Sequence, residues 1–480
     1  MIKSAKTLAI GCLTIISIHS QANGIILNEE NLRNDLNWLN QQGVIQISTS
    51  TWPLSEAELS RALSKAVVNN NIQQKVIDKV SDYLKLENNK LILDVFTETE
   101  QQRQSQFFAN KESAQHHVGI GFKANSEHWA SQIKINVEKD QIIENDQKVN
   151  VEGSYLGVNF WNQWFIAGQI PTYWGPGYEG SLIRGDASRP VYGVTLQRVE
   201  QKAFESSWLS WIGNWQYQMF AGQLDDYQSI PNAKLLGLRV TMQPRPYLEI
   251  GASRIFQWGG DGKDESLSGL WEAIKGNDNV DDRALDKSNQ LAGIDVKFNF
   301  NSFINLPLGL YGQLIGEDEA GYLPSRKFHL LGIDYSSKLS KFPIQLYLEM
   351  ADTRTNGKVW GYTYSHGDYK DGYYQHGYPL GYSIGGDSQI YSMGGNIIID
   401  RMNRLSGRVL TSEINQSSRD INYKYPTQEK IKALEVSWTH YIDNVTPLKL
   451  KGWLNDSNLN GSDSGLALSL EVPLDKLLFK

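Results

Sequence analysis

Cysteine is almost absent from this 480-residue sequence, which has a single one, Cys12. If the N-terminal segment is removed, disulfide bonds and thiol chemistry are excluded. Beyond that segment the chain also lacks any apolar run of the about 18 residues that a membrane-spanning helix needs. The formal charge is −7 and no basic stripe is present, so nucleic acid is not an expected partner. Aromatic residues, in contrast, are plentiful, with 14 Trp and 23 Tyr, and 42 Gly accompany them.

The N-terminus has the form of a secretory signal. It begins with the basic residues Lys3 and Lys6. The apolar stretch TLAIGCLTIISI follows, and then the small residues Ser20 and Ala22. We therefore predict a signal peptide over residues 1–22 and an exported mature chain without cysteine. The alternative is a lipoprotein acylated at Cys12, whose apolar core would span only residues 7–11.

Residues 28–88 show the apolar spacing of helices. The segments 28–43, 52–67 and 71–89 each place Leu, Ile, Val or Ala at helical intervals. In the second segment, Ser55 and Glu58 have capping-box spacing. We predict a small helical bundle over residues 23–90, packed on something larger because about sixty residues make a weak core alone.

From Leu91 onward the apolar period changes to two, as in QIKINVEK and GIDVKFNFN. Alternation alone fits a soluble sandwich or a transmembrane barrel. It predicts eighteen strands, with sixteen or twenty left open, near 93–103, 115–125, 128–140, 150–161, 162–170, 190–200, 213–223, 234–243, 246–256, 289–301, 305–316, 328–337, 343–352, 390–400, 404–411, 430–441, 446–456 and 465–472.

The connections between these strands favour the barrel. Tight turns such as QPR, DRMN and DNV follow even-numbered strands, and long segments follow odd-numbered ones, including 171–189, 257–288, 353–389 and 412–429. One rim of short turns and one of long loops is typical of outer-membrane barrels. We therefore predict an all-β transmembrane barrel of about 18 antiparallel strands over residues 91–480, in contact with outer-membrane lipid. The long loops are then extracellular, and both termini and the α-helical bundle are periplasmic.

Three unusual segments carry a family resemblance. LRNDLNWLNQQGVIQISTSTWPLSEAEL, YWGPGYEGSLI with the nearby SRP, and DGYYQHGYPLGYSIGGDSQIYS resemble the Wzi-type capsule-assembly proteins of Gram-negative bacteria. The likeness covers essentially the whole mature chain. It implies an eighteen-stranded outer-membrane barrel with a helical bundle near its periplasmic mouth. It also implies a lectin-like role in holding group 1-type capsular polysaccharide after its export by separate machinery.

Aromatic side chains with neighbouring arginines are the candidate polysaccharide-binding residues. Rings stack on the C–H faces of sugars, and the arginine fork matches an acidic carboxylate. The candidates are Trp360, Tyr362, Tyr364, Tyr369, Tyr373, Tyr374, Tyr378 and Tyr382 in one segment, and Tyr173, Trp174, Tyr178, Arg184 and Arg189 in another. The competing interpretation is structural, because barrels use aromatics at lipid interfaces and a Tyr/Gly-rich loop can fold inward as a plug.

No constellation predicts catalysis, a metal or a cofactor. The groups weighed and set aside are Asp387–Ser388, His366, His376, Asp225–Asp226, His116–His117 and the acidic run 277–282. Three functions remain: a polysaccharide-binding surface protein, which we favour, a porin or sugar-uptake channel, and a barrel enzyme acting on lipid or glycan.

Overall fold

The structure is a computed structural model. It describes residues 24–474 apart from 85–89, 111–112, 145, 276–287, 321–322, 358–359, 420 and 444–445. The predicted signal peptide therefore lies outside the described residues. Among the residues described, no helix is long and apolar enough to cross a membrane.

A closed antiparallel barrel of eighteen strands forms the body of the molecule, which confirms the predicted fold. Strand β18 pairs with β1 and closes the ring. The fourth strand is interrupted and is counted once. The strands are β1 Lys90–Glu98, β2 Ala114–Asn125, β3 Trp129–Gln141, β4 Val149–Asn150 with Tyr155–Phe160, β5 Gln163–Gly168, β6 Tyr192–Arg198, β7 Asn214–Gln223, β8 Lys234–Arg245, β9 Leu248–Trp258, β10 Ser288–Asn299, β11 Leu308–Ala320, β12 Leu323–Leu339, β13 Phe342–Asp352, β14 Gln389–Ile398, β15 Asn403–Ile414, β16 Glu429–Tyr441, β17 Pro447–Ser457 and β18 Gly461–Pro473.

The wall of the barrel is apolar outside and polar inside. Along β16, Leu434 and Val436 point outward and are exposed, whereas Glu435 and Ser437 point inward and are buried. The same arrangement places the ion pair between Arg239 and Asp295 inside the wall. A soluble sandwich would reverse this order, so the pattern is that of a barrel embedded in lipid.

The two rims of the barrel differ as predicted, with exceptions. The short-turn rim carries connections such as 161–162, 246–247 and 340–341, and the long-loop rim carries 169–191, 259–287, 353–388 and 415–428. On the short-turn rim the connection 199–213 is long. On the long-loop rim β11 and β12 are separated only by residues 321–322, where a longer loop was predicted. The sequence GEDEAGYLPSR carries three consecutive acidic residues and no continuous apolar face, which a strand above the membrane does not need.

Three helices precede the barrel: α1 Glu30–Gln41, α2 Glu56–Ser64 and α3 Asn71–Leu84. The predicted capping box of α2 is wrong. Ser55 occupies the N-cap but makes no side-chain cap hydrogen bond. The Glu58 carboxylate instead accepts hydrogen bonds from Arg61 and from the backbone N–H of Gln201, because it is buried against the barrel.

Helix α1 lies inside the barrel rather than only near its mouth. The Trp38 indole N–H donates to the Ser337 carbonyl at 2.9 Å, and Gln41 donates to the Asp334 carboxylate at 3.0 Å. Both partners belong to β12. Arg404 of β15 pairs with Asp35, and Lys449 of β17 pairs with Glu30 at 2.9 Å. Charged inward side chains of the wall therefore hold α1 in the lumen.

Two long loops fill the lumen from the other rim. Residues 169–191 fold inward and meet the helical segment, where Tyr173–Trp174 pairs with Thr51–Trp52 in a two-stranded sheet. Residues 353–388 fold in beside them, and the Gly185 N–H donates to the Leu380 carbonyl at 2.9 Å. A Cβ on Gly185 would lie 2.2 Å from the Gly381 carbonyl oxygen, so only glycine permits this approach. The lumen is occupied by polypeptide from both ends.

Candidate functional site

Of the thirteen candidate side chains, eleven lie in the interior and two are exposed. The buried ones are Tyr173, Trp174, Tyr178, Arg184, Arg189, Tyr364, Tyr369, Tyr373, Tyr374, Tyr378 and Tyr382. Trp360 and Tyr362 are 42% and 39% exposed. Sugar contact by this set stays a prediction, and only the two exposed rings present a face to solvent in this conformation.

The buried tyrosines of 353–388 bind the two inward loops to each other. The Tyr373 hydroxyl donates to the Ile183 carbonyl at 2.8 Å, and the Tyr364 hydroxyl donates to the Leu182 carbonyl. Tyr369 donates to the Gly259 carbonyl at 3.0 Å. Each ring adds apolar contact while its hydroxyl satisfies a buried carbonyl, which is why tyrosine suits a packed interior of loops.

Three further tyrosines complete this interior. The Tyr382 hydroxyl lies 3.4 Å from the Glu349 carboxylate, and the Tyr378 hydroxyl lies 3.4 Å from the Ser113 carbonyl. The Tyr374 hydroxyl accepts from the Gly386 N–H at 3.4 Å. These bonds tie the 353–388 segment to the wall, to the connection after β1 and to itself.

The aromatic residues of 169–191 face the wall of the lumen. The Tyr178 hydroxyl donates to the Asp334 carboxylate at 2.7 Å, and the Trp174 indole donates to Gln218. Tyr173 donates to the Gly177 carbonyl at 2.6 Å and lies beneath the Arg33 guanidinium. This segment acts as a turn inside the barrel.

The two candidate arginines already have protein partners. Arg189 is fully buried and pairs with Glu138 and Asp146 at 2.7 Å each and with Glu152 at 2.6 Å. Arg184 donates to the Thr172 hydroxyl at 2.8 Å, and its guanidinium lies over the Phe220 ring. Neither side chain faces solvent, so neither reaches an external carboxylate in this conformation.

Arginines that the sequence analysis did not select lie beside the two exposed rings. The Arg326 guanidinium is 4.1 Å from the Tyr362 ring centroid, and that of Arg354 is 5.5 Å from the Trp360 centroid. Together with Arg419 these residues form what we name the aromatic–arginine patch. It lies on the long-loop rim and joins residues from β12, 353–388 and 415–428.

The tip of the patch is held at Gly361. The Gly361 N–H donates to the Asp387 carboxylate at 2.8 Å, and its carbonyl accepts from Arg419. Gly361 has a φ of +79°, which glycine adopts without strain. Burial raises the pKa of the Asp387 carboxyl, and hydrogen bonds from Ser417 and Gly361 oppose that rise. These bonds hold the bend at Gly361 between Trp360 and Tyr362.

A cleft of about 230 Å³ opens on the same rim. It lies between three loops, and the residues that line it include Asp226, Tyr227, Lys370, Tyr374, His376 and Tyr423. Tyr423 is the exposed ring of this group, and it packs so closely on Gly377 that a Cβ there would lie 2.3 Å from the ring. The cleft combines an aromatic face with groups of both charges.

His376 sits in this cleft as part of an ionic cluster. Its ring nitrogens lie 3.5 Å from Asp146 and Asp225 and 3.7 Å from Asp226. Within the described residues, no group of three or more His, Cys, Asp and Glu side chains is arranged to hold a metal ion. The acidic run 277–282 lies outside the described residues.

The sequence signal for the arginines was weak. Arg354 lies only six positions before Trp360, so proximity along the chain was visible. Arg419 belongs to another loop, and Arg326 fell in a connection that proved to be strand. The sequence alone could not bring these three segments together.

Comparisons with known proteins agree on one family. The sequence profile of the family described as capsule assembly protein Wzi matches residues 87–465. A Klebsiella pneumoniae protein described as an uncharacterized 55.8 kDa protein in the cps region is 40% identical over 475 residues, which cover 98% of this chain and 94% of that protein.

A solved structure shows the same similarity in three dimensions. It is described as Wzi, an outer membrane protein involved in group 1 capsule assembly in Escherichia coli and a carbohydrate binding beta-barrel. It superimposes with a TM-score of 0.88 at 41% identity and covers 94% of this chain and 99% of its own. The resemblance noted in the sequence is confirmed, and this chain belongs to the capsule assembly protein Wzi family.

Proposed function

We propose that this protein is an outer-membrane lectin that binds capsular polysaccharide and helps to attach and organise the capsule at the cell surface. The family assignment and the description of the Escherichia coli relative as a carbohydrate-binding barrel of capsule assembly support this role. The polymer then arrives from separate export machinery, and the barrel retains it.

The orientation follows from the two rims. In outer-membrane barrels the long loops are usually extracellular and the short turns periplasmic. The helical segment 30–84 then enters the lumen from the periplasmic side, and the last described strand ends on that side. The aromatic–arginine patch and the cleft lie on the outside, where an exported polymer is found.

The observation that carries the proposal is the exposure of Trp360 and Tyr362 beside guanidinium groups. A ring stacks on the C–H face of a sugar, and guanidinium pairs with a carboxylate through two hydrogen bonds. Arg326 and Arg354 lie over the two rings, and the part of each ring that stays open to solvent is the proposed contact for a sugar. Arg354 already pairs with Asp352 at 2.6 Å, so a sugar carboxylate would share that guanidinium. The combination of rings and guanidinium groups suits an acidic polysaccharide.

The filled lumen favours this role over the channel alternative. A porin keeps an aqueous passage through its barrel. Here helix α1, the 169–191 segment and the 353–388 segment meet inside the wall. The packing of these segments inside the barrel accounts for the buried tyrosines. The exposed rings of Trp360 and Tyr362 are left as the proposed sugar-binding surface.

The test is a double substitution, Trp360→Ala with Tyr362→Ala. Purified protein is assayed for binding to the capsule of its own host, with an unrelated polysaccharide as the specificity control. We expect affinity to fall about tenfold or more, since a loss of roughly 1.4 kcal/mol of contact energy from the two rings together already corresponds to a factor of ten. On cells, more capsule is released into the medium while the barrel still assembles.

The matched control is Trp208→Ala with Trp211→Ala. These two rings are also exposed, at 77% and 58%, but they lie on the short-turn rim. Binding should be unchanged in this variant. Equal binding by wild type and the Trp360/Tyr362 variant, with both barrels folded, would refute the proposed site.

A further inference from the structure

The acidic segment 259–287 has no role in the proposed polysaccharide site. It contains a nine-residue helix, α4 Leu267–Lys275. Ser266 caps the helix by accepting the Gly269 N–H at 3.0 Å. Leu267, Trp271 and Ile274 follow the spacing of one helical face, and Leu267 and Trp271 are 83% and 58% exposed. A helix on the rim of the barrel therefore presents an apolar face without a protein partner among the described residues.

Two bonds fix α4 against the outside of the barrel wall. Arg254 of β9 donates to the Ile274 carbonyl at 2.9 Å, and Lys234 of β8 pairs with Glu265 at 3.5 Å just before the helix. Ser253, next to Arg254, and Leu235, next to Lys234, are buried and point into the barrel. Successive side chains of a strand point to opposite faces, so Arg254 and Lys234 point outward. The helix is thus tied to the lipid-facing surface rather than to the barrel mouth.

The outer surface of the barrel wall next to this segment is shielded from solvent. Phe256 and Gln290 are register partners that face outward, yet they are 7% and 8% exposed. Ile294 lies further along the strand that contains Gln290. It points outward, is 53% exposed and belongs to the band of exposed apolar side chains on the outside of the barrel, which we call the lipid-facing belt. The apolar face of α4 therefore continues the apolar belt at its long-loop edge.

We propose that α4 is a membrane-interface helix that inserts Leu267, Trp271 and Ile274 into the leaflet at the long-loop rim. An amphipathic helix of this kind lies in the membrane plane with its apolar face about 5–10 Å into the boundary between headgroups and acyl chains. Tryptophan is favoured at this depth because its ring is apolar and its N–H is polar. The partner is the lipid itself, and the role is independent of polysaccharide binding.

Single-cysteine labelling tests this placement. Cys12 is the only cysteine, so a Cys12→Ser background makes each introduced cysteine unique. Variants Trp271→Cys and Glu272→Cys are labelled with bimane and placed in phosphatidylcholine vesicles that carry a nitroxide near the head of the acyl chain. Glu272 lies on the polar side of the same helix. We expect quenching at 271 to exceed quenching at 272 several-fold, because only position 271 faces the acyl chains.

Two further positions make the result decisive. Ile294→Cys lies in the lipid-facing belt and gives the quenching of a fully lipid-exposed label. Leu267→Cys reports the same helix face without removing Trp271, so it replaces Trp271→Cys if that variant does not fold. Quenching at 267 or 271 that stays at the level of 272, in a folded barrel with quenched 294, overturns the proposal.

Discussion

Arg189 shows how one residue type serves folding instead of binding. Its guanidinium is fully buried among Glu138, Asp146 and Glu152. Three carboxylates in a space closed to water are tolerable only with a paired cation, because an unpaired buried charge is costly. Arg189 therefore joins the 169–191 segment to β3 and to the connections around β4.

Replacing Arg189 with Met is expected to destabilise the barrel strongly. Removal of one partner from a buried ionic group costs about 3–5 kcal/mol, because the remaining charges stay unpaired. Urea unfolding of protein in lipid vesicles measures the change in the free energy of unfolding. The control is Arg419→Met, whose side chain is exposed and should change stability by less than about 1 kcal/mol. Similar midpoints for both variants would argue against the structural role of Arg189.

The sequence could name the right residue types but not the direction of each ring. Tyr362 and Tyr364 are two positions apart in one loop, yet the first is exposed and the second is completely buried. In a strand such neighbours would share a face, whereas this loop has no period. Tyr364 even has a φ of +60°, which turns the chain between them. Only the packed structure separates the two exposed binding candidates from the six buried tyrosines of the same 353–388 segment.

Strands were the most predictable elements, because lipid outside and a polar lumen impose alternation on each of them. β16 shows this clearly, because buried and more exposed residues alternate along its whole length. The prediction was weakest where strands extend beyond the membrane, as β11 does before residues 321–322 and β12 does after them. The insertion of α1 into the lumen was also hidden, because its amphipathic pattern does not tell which surface it packs on.

Helix α1 and the two inward loops together occupy the lumen. We expect the intact protein to show no large, steady conductance in planar bilayers. Removing either residues 24–84 or both inward segments, 172–188 and 361–385, leaves the other obstruction in place, so each of these variants should also stay closed. Only the variant that combines these deletions should conduct, provided that the barrel folds.

Planar-bilayer recording of all four proteins distinguishes the outcomes. The folded state of each barrel is verified first by its electrophoretic shift on heating. A stable open pore in the intact protein would favour the channel alternative over the lectin. A pore in one of the two partial variants would show that the obstruction left in place does not close the lumen.

The two rims and the outer wall of the barrel have different surroundings. One rim is bound to the helical unit, the belt faces lipid, and the other rim presents the aromatic–arginine patch. In the proposed site, a single barrel offers one small surface of two rings and a few guanidinium groups, and we expect that surface to bind one sugar repeat weakly. A capsular polymer repeats that unit many times, so we expect several barrels in one membrane to retain it through multivalency.

We therefore expect apparent affinity to depend on how many barrels share a membrane. Polymer binding is measured with nanodiscs that hold one barrel each and with vesicles that hold many at the same total concentration. The vesicles should bind the polymer about 10²–10⁴-fold more tightly, because each further contact is intramolecular. A single-repeat oligosaccharide has no second contact and should bind both preparations equally. Equal affinity of the polymer for nanodiscs and vesicles would instead mean that one barrel holds the chain alone, through a larger surface than the patch.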